Sequence, residues 1–342
     1  MLMLFRISTP NVKKNPISAR SERFNPFIMR HLILAALALT APLHGQFIFS
    51  EKTSEKDLCI ELHHGRDLVT AFRTDYRFPY LYPVQSPSGA NIVRNWPMKP
   101  DVAGEEKDHP HHRGIWLAHG SVNGNDFWTD SKTSTSIICF NSITKKDATK
   151  ESAHLIADLT WIAANIELLK ETRNYAFSKP NAETLRIDIQ STLTAIADEV
   201  VFGDTKEGTF AVRTDRTLRV KGPTAKATLT NSNGETNLDA WGKRANWAAY
   251  TGPDELGKPT VVAIIENPKS FRSPTHWHAR DYGLLAANPF GIHDFEKKKD
   301  KTLGNHTLKK SESIILNHTV IIHQGTLETA KLKELSDSLK KP

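Results

Sequence analysis

Leu185-Arg-Ile-Asp-Ile-Gln-Ser-Thr-Leu193 decides the fold class. In an extended chain Leu185, Ile187, Ile189 and Leu193 fall on one side, and Arg186, Asp188, Gln190 and Thr192 on the other. This two-residue period is that of a strand with one buried face. The habit continues outward. Residues 155–162, 167–175, 261–266, 283–287 and 314–322 read as strands after or before it, and 136–140 as another. Towards the N-terminus, 58–62 and 68–72 flank the turn His63-His64-Gly65-Arg66-Asp67. The aromatic-rich stretch 73–82 then leads through Tyr82-Pro-Val84 into the turn Ser86-Pro-Ser-Gly89. Only the tail has a helical period, with Leu332, Leu335 and Leu339 spaced by three and four residues. Many antiparallel strands with nearly no helix predict an all-β chain: a large two-sheet antiparallel sandwich with a short C-terminal helix. No repeat or linker divides residues 46–342, so they read as one β-sandwich domain.

The formal charge of +7 misleads. Within residues 1–45, Arg6, Lys13, Lys14, Arg20, Arg23 and Arg30 face Glu22 alone, so five of the seven excess charges lie there. The remainder gives no reason to expect a nucleic-acid partner. Met29-Arg30-His31 precedes an apolar run over 32–39 and small residues to Gly45, the layout of a signal peptide, with Met29 as a candidate start. Residues 1–45 therefore read as an N-terminal extension plus signal peptide, and the mature protein as periplasmic or secreted. The run is too short for a membrane span. Cys59 and Cys139 remain, either paired, as export permits, or as two buried thiols.

Chemistry concentrates in Asp108-His-Pro-His-His-Arg-Gly-Ile-Trp116 and its continuation to Trp128. Four of the fifteen histidines lie there: His109, His111, His112 and His119. Pro110 and Gly114 make the stretch a loop feeding a strand, and extended geometry would put His109, His111 and Arg113 on one side. A second histidine pair, His276 and His278, precedes Arg280-Asp281 and Asn288-Pro-Phe-Gly-Ile-His293. Imidazoles at i and i+2 of a strand share a face and could share a divalent metal ion, so His109, His111, His276 and His278 are the candidate ligands. Spacing does not choose the metal, and a metal-free acid–base site is equally open. Glu207, at the mouth of a strand and followed by Gly208, is the candidate carboxylate. His111, His112, Arg113, Glu207, His278, Arg280 and Asp281 form the catalytic set. Trp116, His119, Asn123, Asp126, Trp241, Asn288 and His293 supply the flat aromatics and hydrogen-bonding groups that hold a sugar ring.

These motifs carry a resemblance. His109-Pro-His-His-Arg-Gly-Ile-Trp116, His119-Gly-Ser-Val-Asn-Gly-Asn-Asp-Phe-Trp128, Asp204-Thr-Lys-Glu-Gly208, Trp241-Gly and Arg280-Asp-Tyr-Gly-Leu-Leu-Ala-Ala-Asn-Pro-Phe-Gly291 resemble exported bacterial proteins known as PmoA-like, or "methane oxygenase", over most of the mature chain. The resemblance implies a sandwich like the galactose-mutarotase supersandwich and an association with carbohydrate breakdown; it carries no catalytic residues over. The expected function is an exported carbohydrate-active enzyme of hydrolase, lyase or epimerase type. Its ligand would be a small molecule or an oligosaccharide. The alternatives are a carbohydrate-binding protein without turnover and a metal-dependent oxygenase.

Overall fold

In the computed structural model, residues 45–340 are described, apart from 55, 56 and 131–134. The extension and signal peptide expected before them lie, except for Gly45, outside the described residues. The first sheet contains β1 (Phe47–Thr53), β2 (Leu58–His64), β3 (Asp67–Arg73), β4 (Tyr80–Val84), β5 (Ile115–His119), β11 (Gly208–Arg213), β16 (Leu284–Asn288) and β15 (His276–Ala279), in that spatial order. The second runs β12 (Thr228–Asn231), β13 (Trp247–Pro253), β14 (Pro259–Glu266), β18 (Ser313–Gln324), β9 (Thr184–Ala195), β8 (Ile166–Asn181), β7 (Ser152–Ala163) and β6 (Ile137–Ala148). A separate ribbon pairs β10 (Glu199–Phe202) with β17 (His306–Lys309). Among the described residues helices are limited to a 3-10 turn at Asn237–Ala240, α1 (Ile292–Phe295) and α2 (Leu332–Ser338). The two-sheet antiparallel sandwich with a short C-terminal helix is thus as the alternation predicts. No described helix is long and apolar enough to cross a membrane.

β9 shows how the pattern becomes packing. Leu185, Ile187, Ile189 and Leu193 are all buried between the sheets, while Gln190 faces water. Each such side chain contributes ~1.5–3 kcal/mol relative to exposure. Phe72 of the first sheet meets Tyr175 of the second at 5.9 Å, and Phe210 stacks on His318 at 4.4 Å. Cys59 and Cys139 are free thiols, so the disulfide alternative does not hold.

The register fixes what the first sheet shows on its other face. Paired residues of antiparallel strands share a face, and neighbours along a strand alternate. Phe210 points to the second sheet, so Ala211 points away from it. Ala211 pairs with Trp116 and Ala286; Trp116 pairs with Tyr80, and Ala286 with His278. One outer row therefore reads Tyr80, Trp116, Ala211, Ala286, His278. The next holds Arg213 and Leu284, with Arg280 following His278 by two residues. Large groups at both ends flank two alanines. The free edge of β15 is covered by the 242–244 segment, through Gly242 N–H to the Trp277 carbonyl (2.8 Å) and Trp277 N–H to the Lys243 carbonyl (3.0 Å).

Candidate functional site

The histidine stretch does not run extended. His109 has φ of +43°, and the His112 N–H bonds the His109 carbonyl at 3.0 Å, closing a turn. Local backbone bonding therefore overrides the alternation expected of 109, 111 and 113. Instead, His109 stacks on His112 (centroids 4.8 Å apart, planes at 7°) and on Tyr282 (5.2 Å, 12°). His112 continues the stack to Trp116 at 5.3 Å. Trp128 closes an aromatic triad, 5.1 Å from Trp116 and 5.7 Å from His112.

Two buried arginines hold this turn. Arg94 Nη1 donates to the Asp108 carboxylate (2.5 Å) and carbonyl (2.7 Å), and its Nη2 to the His109 carbonyl (2.6 Å). Arg213 Nη2 donates to Asp108 at 3.0 Å, and its Nη1 to His112 Nδ1 at 3.1 Å. Desolvation favours the neutral acid, but the hydrogen bond from His109 and the charges of Arg213 and Arg94 hold Asp108 well below the usual carboxylate range. Asp108 in turn accepts from His109 Nδ1–H at 2.6 Å, which leaves His109 Nε2 as the acceptor on a 41 % exposed side chain.

Tyr282 joins the three sequence regions. Its phenol is pushed up by burial; the charges of Arg213 and Arg280 oppose the rise, and those of Glu207 and Asp108 add to it. The guanidinium carbons of Arg213 and Arg280 lie 4.6 and 5.5 Å from the ring centre. The 108–112 turn and the Arg280 corner thus meet on the Tyr282 ring, and the Glu207 charge is felt at its phenol. Glu207 is part-exposed and 3.3 Å from Lys206 Nζ. Arg113 turns aside onto Tyr76, 3.7 Å from its ring centre. Asp281 uses its carbonyl to hold the Val220 and Lys221 N–H groups.

Several predicted binders instead build the loop that carries Glu207. His119 lies on the opposite side of β5 from Trp116, against Phe202 and Phe290, and its Nε2–H donates to the Gly203 carbonyl (2.8 Å). Asn288 Nδ2 donates to the Thr205 carbonyl (2.9 Å), and His278 Nδ1–H to the Lys206 carbonyl (2.6 Å). His293 donates its backbone N–H to Asp204 (2.9 Å), with its imidazole 2.8 Å from the same carboxylate. Asp294 accepts from Lys206 N–H at 2.9 Å. Asn123 and Asp126 also do backbone work: Asn123 clips its turn to Glu199 and Val201, and Asp126 accepts from Trp128 and Thr129. Of these, His119, Asn123, Asp126, Asn288 and His293 were expected to touch sugar, and His278 to act in catalysis or hold a metal; a polar side chain beside unpaired backbone groups is claimed by them first.

The proposed metal quartet does not assemble. His276 Nε2–H donates to Glu296 (3.2 Å), while His278 is committed to Lys206. Trp116, against which His112 packs, and His278 are three strand spacings apart, roughly 14 Å. Among the described residues no group of three or more His, Cys, Asp or Glu side chains is arranged to hold a metal ion. Burial pushes His111 down to about 3, aided by His109, Arg94, Arg77 and Arg213, and burial takes His278 to about 4.

Beyond His278 a cleft of about 640 Å³ opens along Trp241, Leu238, His276 and Phe295. Trp241 lies edge-on to His278 at 6.5 Å. A separate hollow of about 380 Å³ near His64 and the 86–89 turn contains none of the predicted site residues.

The match to a family model covers this whole arrangement. The chain belongs to DUF6807, a family of unknown function, over residues 59–337. The DUF6807 match spans both sheets, the histidine turn, the Glu207 loop and Tyr282. No curated protein matches the chain. Sequence reasoning passed over Asp108, Arg94, Arg213 and Tyr282. Arg213 carried a signal, since a charged residue closing an otherwise apolar strand needs a partner if it is buried.

Proposed function

We propose that this chain is an exported carbohydrate-processing enzyme that works by proton transfer. Asp108-His109 is the base, and Glu207 is the second acid–base group across Tyr282. The observation that carries the reading is the Asp108–His109 hydrogen bond, locked by Arg94 and Arg213, with the His109 imidazole stacked on Tyr282. A carboxylate that fixes the imidazole proton on Nδ1 leaves Nε2 oriented to take a proton, and the Arg280 guanidinium can steady developing negative charge. This pairing suits epimerase, lyase and hydrolase chemistry. Trp241 and its cleft offer a stacking surface for further sugar units, which favours an oligosaccharide. The PmoA-like resemblance and the signal-peptide pattern support carbohydrate work outside the cytoplasm.

Turnover on a saccharide panel, followed by product analysis, tests the proposal. His109→Ala and Glu207→Gln are each expected to lower kcat by ~10²–10⁴ while affinity changes little. A second reading, binding without turnover, draws on the burial that keeps His111, His112 and His278 neutral. Equal loss of affinity in both variants, with no product from the wild type, would select it.

A further inference from the structure

The polar groups around Tyr282 are one-sided. His112 Nδ1 accepts from Arg213, so its Nε2 carries the proton, and that Nε2 is buried without an acceptor. The indole N–H groups of Trp116 and Trp128 are in the same position. So are the Nε–H groups of Arg94, Arg213 and Arg280. All six are donors; the buried Nδ1 of His111 beside His112 is also unpaired and donates or accepts according to its tautomer. A buried donor left unpaired costs about 1–3 kcal/mol, so such a set is expected to meet acceptors.

Charge is one-sided as well. Arg94, Arg213, Arg280 and Lys206 face three carboxylates, Asp108, Glu207 and Asp281. Asp108 is shared by two guanidiniums, and Glu207 is taken by Lys206. Among the described residues Arg280 has no carboxylate within ion-pair distance. Arg280 stands beside Tyr282, whose hydroxyl stays protonated and is a further donor.

We infer that the saccharide bound here is acidic, and that its anionic group docks on Arg280 and the Tyr282 hydroxyl. This deepens, and rests on, the carbohydrate reading above. A uronic-acid carboxylate and a sulfate ester share the needed chemistry: several acceptor oxygens and a negative charge that a guanidinium fork binds in two places. Neutral sugars would supply acceptors but leave the charge uncompensated.

An array of neutral, uronic-acid and sulfated glycans, followed by calorimetry on matched pairs such as an oligogalacturonate and its carboxyl-reduced form, tests this. The acidic member is expected to bind about tenfold tighter or more. Its advantage should shrink as salt is raised from roughly 0.05 to 0.5 M. Arg280→Gln should bring acidic and neutral members to parity, and Arg280→Lys should retain part of the gap, with unchanged melting temperatures showing that both fold. Carboxylated and sulfated arms identify which acid is read. Equal binding of acidic and neutral glycans overturns the inference and leaves the carbohydrate reading standing. Binding of no glycan at all removes both.

Discussion

Two buried guanidinium–carboxylate clusters, one between the sheets and one on the outer face, are built to different standards. Between the sheets, Arg173 Nε and Nη2 grip both oxygens of Glu171 (2.6 and 2.9 Å), and Nη1 donates to the Pro79 carbonyl of the other sheet (3.2 Å). Trp161 Nε1–H completes Glu171 at 2.8 Å. Each guanidinium nitrogen of Arg173 has an acceptor within the protein. On the outer face, Arg94 and Arg213 share Asp108, and the Nε of each has none. Both regions lie in the same sandwich and their guanidiniums are similarly buried, but the Asp108 side chain is 31 % exposed where that of Glu171 is fully buried. A chain able to satisfy one cluster fully and not the other separates structure from function: the closed cluster staples the sheets, and the open one is arranged for something from outside.

The largest effects should separate these clusters. Glu171→Gln leaves Arg173 as a buried charge without a counter-ion and is expected to cost about 3–5 kcal/mol of stability. Urea unfolding measures it, and added sulfate should not restore it, since no anion reaches the pair. Asp108→Asn should destabilise to a similar extent at low salt, yet recover in sulfate by more than the wild type gains. Equal sulfate responses in the two variants would erase the distinction.

Acid sharpens it next. Burial holds His111 at about 3 on the outer side and His318 at about 3 in the core, both below the unfolded 6.5. As pH falls the unfolded chain takes these protons first, so their contribution is full above pH 6.5 and lost between there and about 3. Glu266 acts in the opposite sense: burial raises it from 4.5 to about 8, and its contribution, full below 4.5, is lost as pH rises to about 8. Melting temperature against pH should therefore fall on both flanks, and Glu266→Gln should flatten the alkaline one. An acidic ligand, by countering Arg94 and Arg213, should raise the His111 titration seen by NMR and leave that of His318 unmoved.

How far the sequence foretold this differs between the two regions. The sandwich was legible because alternation in β9 and β18 survives at nearly every inner position, with Ser191 and His318 the buried polar exceptions. The motifs of the site were legible as concentrations of imidazole, amide and indole, but their roles were not. A positive φ at His109 and one turn bond reversed which imidazoles face each other. His119, Asn288 and His278 looked like ligand contacts and became supports, because the 203–206 carbonyls needed donors that sequence alone does not place. Tyr282 and Asp108 gain their importance from neighbours distant in the chain, with Arg213 lying 105 residues from Asp108 and His109 lying 173 from Tyr282, and no local pattern marks them.

The loop supports yield the next test. Asn288 Nδ2 holds the Thr205 carbonyl, while its Oδ1 accepts from the Phe290 and Gly291 N–H groups (2.8 and 3.1 Å). Asn288→Ala leaves three buried backbone groups unpaired, and about 1–3 kcal/mol of stability should go with them. If Asn288 acts only through Glu207, kcat falls and the affinity for saccharide does not; a matching loss of affinity would return Asn288 to the ligand. The smallest effect belongs to Trp241. It borders the cleft past His278 and has no partner for its indole N–H. Trp241→Ala should weaken a long oligosaccharide by about 0.5–1.5 kcal/mol and leave a monosaccharide unaffected. The ratio of the two affinities, wild type against variant, measures whether the ligand runs off the edge of the sheet, and a ratio that does not move confines it to the ground between Trp116 and His278.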